Sequence, residues 1–239
     1  MSDQQAITEM FDDISPRYDF LNHLLSFNID KIWRRKASRL VAKCQPTAIL
    51  DVATGTADLA IRMATDIPSA SIIGVDLSEK MLAIGRQKIA KKKYDGRINL
   101  LTANAIDLPF EDNCFDAVTV AFGVRNFKNL EAGLREMLRV TKNNGFIIIL
   151  EFSRPRHGII RGPYRFYLKH ALPWIGRTIS THQTAYSYLP TSIEAFPKSN
   201  SFMKMLQDLG IQDIRCKALC GGISTLYFGH IQKKPANSQ

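Results

Sequence analysis

Long apolar runs are missing from this chain of 239 residues. The longest, FIIIL at 146–150, falls far short of the roughly 20 residues needed to span a bilayer, so no membrane-crossing helix is expected. Cysteine is scarce as well. Cys44, Cys114, Cys216 and Cys220 include no C-x-x-C pair. Cys216 and Cys220 would lie on the same side of one strand, four residues apart, a poor geometry for a shared metal, so reduced thiols packed as small apolar groups are expected. The five histidines lack H-x-x-x-H spacing, and no zinc site is expected. The N-terminus, MSDQQAITEMFDD, has neither the basic nor the apolar part of a signal peptide, which makes a cytoplasmic protein the default expectation.

What the chain has in excess is positive charge, +10 net. That permits nucleic acid, an anionic membrane surface or an anionic small molecule as partner, or serves solubility alone. Apolar residues at 45% and charged ones at 23% are ordinary for a globular protein.

Short β-branched runs alternate with amphipathic segments. AILDVA (48–53), SIIGVD (71–76), RINLLTA (97–103), FDAVTVAF (115–122) and FIIILEF (146–152) read as strands. Helices are expected over 57–66, 78–93 and 130–142, with Ser78 as an N-cap and Gly145 in a left-handed cap after the third. This succession predicts a parallel α/β sheet covered on both faces. A helix at 201–210 and two strands flanking Gly221–Gly222 add an antiparallel hairpin. That layout is the Rossmann-like class I fold of S-adenosylmethionine (SAM) methyltransferases, here with seven mostly parallel strands. The expected organisation is one methyltransferase domain. Its parts are an N-terminal helical cap (1–45), a SAM-binding core (46–152), an insert (153–198) and a C-terminal helix and hairpin (199–232). The insert interleaves Tyr164, Phe166, Tyr167, Trp174, Tyr186 and Tyr188 with Arg154, Arg156, Arg161, Arg165, Lys169 and Arg177. It is long for a connection and reads as a lid.

At the first strand–helix turn, LDVATGTADLA brings backbone N–H groups and small residues to a ligand. The third glycine of a dinucleotide fingerprint is missing. Asp51 and Asp58 would repel a pyrophosphate but favour the sulfonium and ammonium of SAM. Asp76, about 20 residues beyond Gly55, is placed to accept from ribose hydroxyls, or else serves the start of the next helix. Asn104 and Ala105 fall where an adenine edge would be held, and Leu108, Pro109 and Phe110 shape that loop.

MFDDISPRYDFLN, DVATGTADLA, GVDLSEKML, NAIDLPFEDNCFDAVTVAFGVRN and AYSYLPTSI together resemble the ubiquinone/menaquinone biosynthesis C-methyltransferases over nearly the whole chain. The resemblance implies methylation of a ring carbon of a polyprenyl quinol with SAM as cofactor, here demethylmenaquinol to menaquinol. The equivalent ubiquinone-pathway step is the alternative. It implies cofactor contacts at Thr56, Asp76, Asn104 and Ala105, and Asp51, Gly55, Asp58, Leu77 and Ala121 join them by position. Two departures stand out: Ala57 where the family often has glycine, tolerable at negative φ, and Ala121 where it often has serine.

A quinol carbon becomes nucleophilic when the adjacent hydroxyl loses its proton, and a cation beside that oxygen favours the phenolate. Arg125, at the carboxyl end of the fourth strand, is the expected cation, with Asn126 beside it as a second catalytic candidate. The alternatives are a salt bridge of Arg125 to Glu131 and a helix-capping role for Asn126. Tyr186 and Tyr188 are expected at the substrate. The general base is left open among these tyrosines, Asp107 and water, and His170 reads as structural. An RNA methyltransferase is the rival reading, which the charge suits. The chain has FGVRN where base-modifying relatives of this fold often carry Asn/Asp-Pro-Pro-aromatic, so no nucleic-acid partner is expected. A peripheral contact with the inner face of the cytoplasmic membrane and a homodimer are both compatible with the resemblance.

Overall fold

The computed structural model describes residues 3–26, 28–155 and 183–232, with Gly162, Tyr164 and Phe166 between them. Helices α1 (Asp3–Leu25) and α2 (Ile29–Ala42) precede a repeating β/α core. The core comprises β1 (Ala48–Val52), α3 (Asp58–Asp66), β2 (Ser71–Asp76), α4 (Glu79–Lys91), β3 (Ile98–Thr102), β4 (Phe115–Ala121), α5 (Leu130–Val140) and β5 (Thr141–Phe152). Helices α6 (Gln183–Ala195) and α7 (Ser199–Asp208) lead to β6 (Ile211–Leu219) and β7 (Ser224–Ile231).

The seven strands form one sheet in the order β3-β2-β1-β4-β5-β7-β6. The first five are parallel, and β7 runs antiparallel between β5 and β6. The chain lays β2 and β3 on one side of β1 and β4 and β5 on the other, and this switch in strand order opens a crevice at the carboxyl ends of β1 and β4. The central strands are buried on both faces, as parallel strands under two helical layers must be. Ile49, Ile148 and Leu150 pack with α2 and α3, while Leu50, Val52, Ile147 and Ile149 pack with α5 and α7. Asp116 staples the sheet's lower edge by accepting from Thr47 N at 2.9 Å, the Thr47 hydroxyl at 2.7 Å and Lys142 Nζ at 2.7 Å.

Helix α1 continues through Pro16, which cannot donate to the Asp12 carbonyl. The Ser15 hydroxyl donates to that carbonyl instead, at 2.8 Å. Ser78 caps α4 by accepting from Met81 N at 3.1 Å, as expected. Two local expectations need correction. After α5 the left-handed residue is Asn144 (φ 64), not Gly145. Gly145 is required for space, because a Cβ there would sit 2.9 Å from the Asp116 carbonyl. Cys220 is not on a strand with Cys216; it lies in the turn before β7, and its sulfur accepts from Trp33 Nε1 at 3.3 Å.

Candidate active site

The turn after β1 holds three left-handed residues, Ala53 (φ 52), Gly55 (φ 54) and Ala57 (φ 65). Two carboxylates pin it. From beneath, Asp51 accepts from the hydroxyls of Thr54 at 2.7 Å and Thr119 at 2.6 Å. From the side, Asp76 accepts from Gly55 N at 2.8 Å and Ser78 N at 3.0 Å. Gly123, on the loop after β4, has no room for a side chain, since its Cβ would lie 2.5 Å from that of Ala53. The result is a cleft of about 730 Å³ over the carboxyl ends of β1, β2 and β4. Ile7, Thr8, Phe11 and Tyr18 of α1 cover it.

Of the residues expected at the cofactor, Gly55, Asp76, Leu77, Asn104, Ala105 and Ala121 all line this cleft, and Asn126 reaches it too. Asp51, Thr56 and Asp58 do not. Asp51 is buried below the turn, where desolvation raises its pKa to about 6. Thr56 and Asp58 face away, toward Lys88, whose Nζ donates to Thr56 Oγ1 at 3.1 Å and forms an ion pair with Asp58. The repulsion argument drawn from Asp51 and Asp58 therefore falls, and Asp76 is the carboxylate that faces the ligand space. Burial raises its pKa against the pull of the backbone N–H groups of Ser78, Gly55 and Leu77. Ala57 adopts the left-handed conformation that its methyl disfavours by about 1 kcal/mol, so the negative φ at which a methyl is tolerated without strain is not the one found. Beyond Asn104, the loop carrying Leu108 and Phe110 is held by Arg139, which donates to their carbonyls at 3.0 and 2.7 Å.

A second cavity of about 730 Å³ opens beside the first across Phe122, sharing Phe11 and Tyr18 with it. Phe122 has φ 60, a strained value for an aromatic residue. Its ring packs on Phe152 at 4.6 Å, with Trp33 behind both. Arg125 and Tyr188 border this cavity, as does Leu189. The partner of Arg125 is not Glu131, which pairs with Arg135. It is the fully buried Glu151, whose Oε1 lies 2.7 Å from Arg125 Nη1. Arg125 also donates to the Phe122 carbonyl and, at 3.3 Å, to the Ser192 hydroxyl of α6. Asn126 is not a helix cap; Asn129 caps α5. Asn126 Oδ1 accepts instead from the Tyr188 hydroxyl at 2.9 Å, and burial raises the Tyr188 pKa while Arg125 lowers it.

Sequence reasoning missed Glu151, Tyr18, Arg34, Asp30 and Phe122. Glu151 was detectable: a lone acid ending FIIILEF has to find a buried cation. Tyr18, Arg34 and Asp30 come from α1 and α2, whose placement over the sheet no local pattern predicts. Asp107 does not line either cavity. The side chain of Tyr186 lies outside the described residues, as do Arg156, Arg161, Arg165, Tyr167, Lys169, His170, Trp174 and Arg177.

The first cleft suits SAM. Among the described residues no lysine or arginine lines it, which leaves a pyrophosphate without a counter-charge. Asp76 keeps lone pairs for ribose hydroxyls beyond its two backbone donors, and Leu77, Ala105 and Ala121 offer apolar walls.

Comparison with known proteins agrees. A SAM-dependent methyltransferase from Aquifex aeolicus superposes with a TM-score of 0.56 at 16% identity, over 77% of this chain and 82% of that one. At that identity the likeness speaks for the fold alone. Sequence relatives are nearer. The ubiquinone/menaquinone biosynthesis C-methyltransferase UbiE of Geotalea daltonii is 45% identical over 94% of this chain and 96% of its own length. The demethylmenaquinone methyltransferase of Porphyromonas gingivalis is 42% identical, over 94% and 92% respectively. The model of the ubiE/COQ5 methyltransferase family matches residues 1–231. With a SAM-suited cleft on a class I sheet, and with the family model covering nearly the whole sequence, this chain belongs to the ubiE/COQ5 methyltransferase family.

Proposed function

We propose that this SAM-dependent methyltransferase methylates a ring carbon of a prenylated quinol, converting demethylmenaquinol to menaquinol. The observation that carries the reading is the second cavity. It lies one aromatic residue away from the cofactor cleft, has the packed rings of Phe122 and Phe152 in its lining, and presents a buried guanidinium at its wall. The relatives' names, UbiE and demethylmenaquinone methyltransferase, point to the same chemistry.

When bound, SAM would supply an activated methyl for the ring carbon and leave as its neutral thioether, with the ring proton lost to solvent. The chain's part is to orient and to stabilise charge. Gly55, Asp76, Leu77, Asn104, Ala105 and Ala121 hold the cofactor, while Asp51, Thr56 and Asp58 act one step removed, by fixing the turn and α3. Arg125 stabilises the phenolate that activates the ring. Because Glu151 already balances its charge, Arg125 acts as a directed donor more than as a free cation. Asn126, fixed by Tyr188, orients the same oxygen. Of the segment expected to act as a lid, Tyr188 and Leu189 border the second cavity, where they keep water from the ring.

A prenylated substrate resides in the bilayer, and α2 offers a surface for meeting it. Lys31, Arg35, Lys36 and Arg39 are exposed there beside Ile32, itself 52% exposed. Anionic lipid attracts such a face by about 1 kcal/mol per basic residue near the surface. The contact in this reading is peripheral, through that exposed face; among the described residues no helix is long and apolar enough to cross a membrane. Nucleic acid is not a partner in this reading, and a homodimer is compatible with it.

Expression in a strain that lacks quinone methylation tests the proposal. Mass spectrometry of the quinone pool is expected to show menaquinone restored. A pool left unmethylated, despite soluble protein that binds SAM, would sink it.

A further inference from the structure

The second cavity carries two charged poles rather than one. At one, Arg125 pairs with Glu151 and its guanidinium lies over the Phe152 ring, 5.3 Å from the centroid. At the other, Arg34 pairs with Asp30 and lies over the Phe122 ring at 5.4 Å. Phe122 and Phe152 pack against each other with their rings tilted by 35°, and both guanidiniums line the one cavity that these rings border. They come from unrelated elements, the loop after β4 and the middle of α2. Tyr18 lines the same cavity, and both guanidiniums oppose the rise in its pKa that burial causes.

A single activating cation would serve a ring with one hydroxyl. Burying a second guanidinium costs desolvation, and Arg34 is only 11% exposed in its side chain. A flat ring with hydroxyls at opposite ends matches the arrangement: apolar faces for the aromatic floor, and one oxygen for each pole. At the second pole a hydroxyl can accept from Arg34 and donate to Asp30, whose Oδ1 also accepts from the Ser26 hydroxyl at 2.6 Å.

Resting on the quinol reading above, we infer that the Arg34–Asp30 pair binds the remote hydroxyl of a 1,4-dihydroxylated ring, so that the cavity selects a diol over a mono-ol. Arg125 serves the hydroxyl next to the methylated carbon. Arg34 serves the one next to the prenyl-bearing carbon, and takes no part in activating the ring.

The test uses the full chain and two ligands with the same short prenyl group. One is the naphthalene-1,4-diol, kept reduced. The other is the mono-ol that keeps only the hydroxyl ortho to the methylated carbon. Affinity is measured by equilibrium dialysis without SAM, and kcat/KM with it. The wild type is expected to bind the diol about tenfold more tightly. Arg34→Met is expected to lose affinity for the diol alone, bringing the two ligands within about twofold of each other. Wild-type affinities within twofold would overturn the inference, and that comparison needs no variant to fold. Equal weakening of both ligands by Arg34→Met would also overturn it, by making Arg34 a strut between α1, α2 and α3. A diol that binds in the expected ratio yet is never methylated would overturn the proposed function while supporting the two-pole site.

Discussion

Arg125 and Glu151 form an ion pair at 2.7 Å, with side chains 6% and 0% exposed. The pair joins the end of β5 to the loop after β4, and Glu151 Oε2 also accepts from Arg125 N at 3.2 Å. Removing either partner leaves the other charged, buried and uncompensated, at a cost of about 3–5 kcal/mol. Replacing both avoids that penalty. Arg125→Met and Glu151→Met are each expected to destabilise strongly, the double variant by less than either. Denaturant unfolding of the four proteins measures this; additive losses would refute it. Turnover should fall in all three variants by at least about a hundredfold, with SAM affinity near wild type because neither residue lines the cofactor cleft.

Asp51 and Asp76 end neighbouring strands but should respond differently to substitution. Asp76→Ala removes a cleft-lining acceptor and is expected to weaken SAM binding by about tenfold or more. Asp51→Asn should leave SAM affinity within about twofold, since Asp51 lies below the turn. Isothermal titration separates the two; a large loss of affinity in Asp51→Asn would contradict the geometry.

Asp51 also predicts a pH dependence. Its folded pKa of about 6 exceeds the ordinary value of 3.8, so the folded state holds the proton more tightly. Its contribution to stability is present below about pH 4 and is lost as pH rises through 6, a swing of about 3 kcal/mol. Asp51→Asn should therefore gain stability relative to wild type between pH 4 and 6 and keep the gain at pH 7. Melting curves across that range test it; a constant difference would count against a raised pKa.

Helix α1 covers the cofactor cleft and is tethered by Lys88, whose Nζ lies 2.8 Å from Asp19 Oδ2. Lys88→Met should speed amide exchange in α1 and weaken SAM binding about threefold, the size of a partly exposed ion pair. Unchanged exchange in α1 would mean that packing alone holds the helix.

Much of this was legible beforehand. The parallel core follows from β-branched runs at regular spacing, and the antiparallel end from the Gly221–Gly222 turn. Gly55, Asp76 and Asn104 line the cleft as expected, because a strand end and a short turn fix where these residues face. Asp51 and Thr56 do not line the cleft, because successive residues of a strand or a tight turn point in opposite directions, and spacing alone does not say which face the ligand. Arg34 and Asp30 were invisible because their role arises from how α2 docks on the sheet. Arg125 lies at the end of the fourth strand as expected, but its partner is not the Glu131 of the alternative reading, since Glu151 lies 26 residues away on the adjoining strand.

The central claim is transfer of a methyl to a quinol ring carbon. The most direct measurement incubates the protein with SAM carrying a deuterated methyl and a reduced short-chain demethylmenaquinol, followed by mass spectrometry and NMR of the product. The expected result is the deuterated methyl on the ring carbon, with turnover lost in Arg125→Met while SAM binding persists. Label on an oxygen, or undiminished transfer by Arg125→Met, would contradict the account.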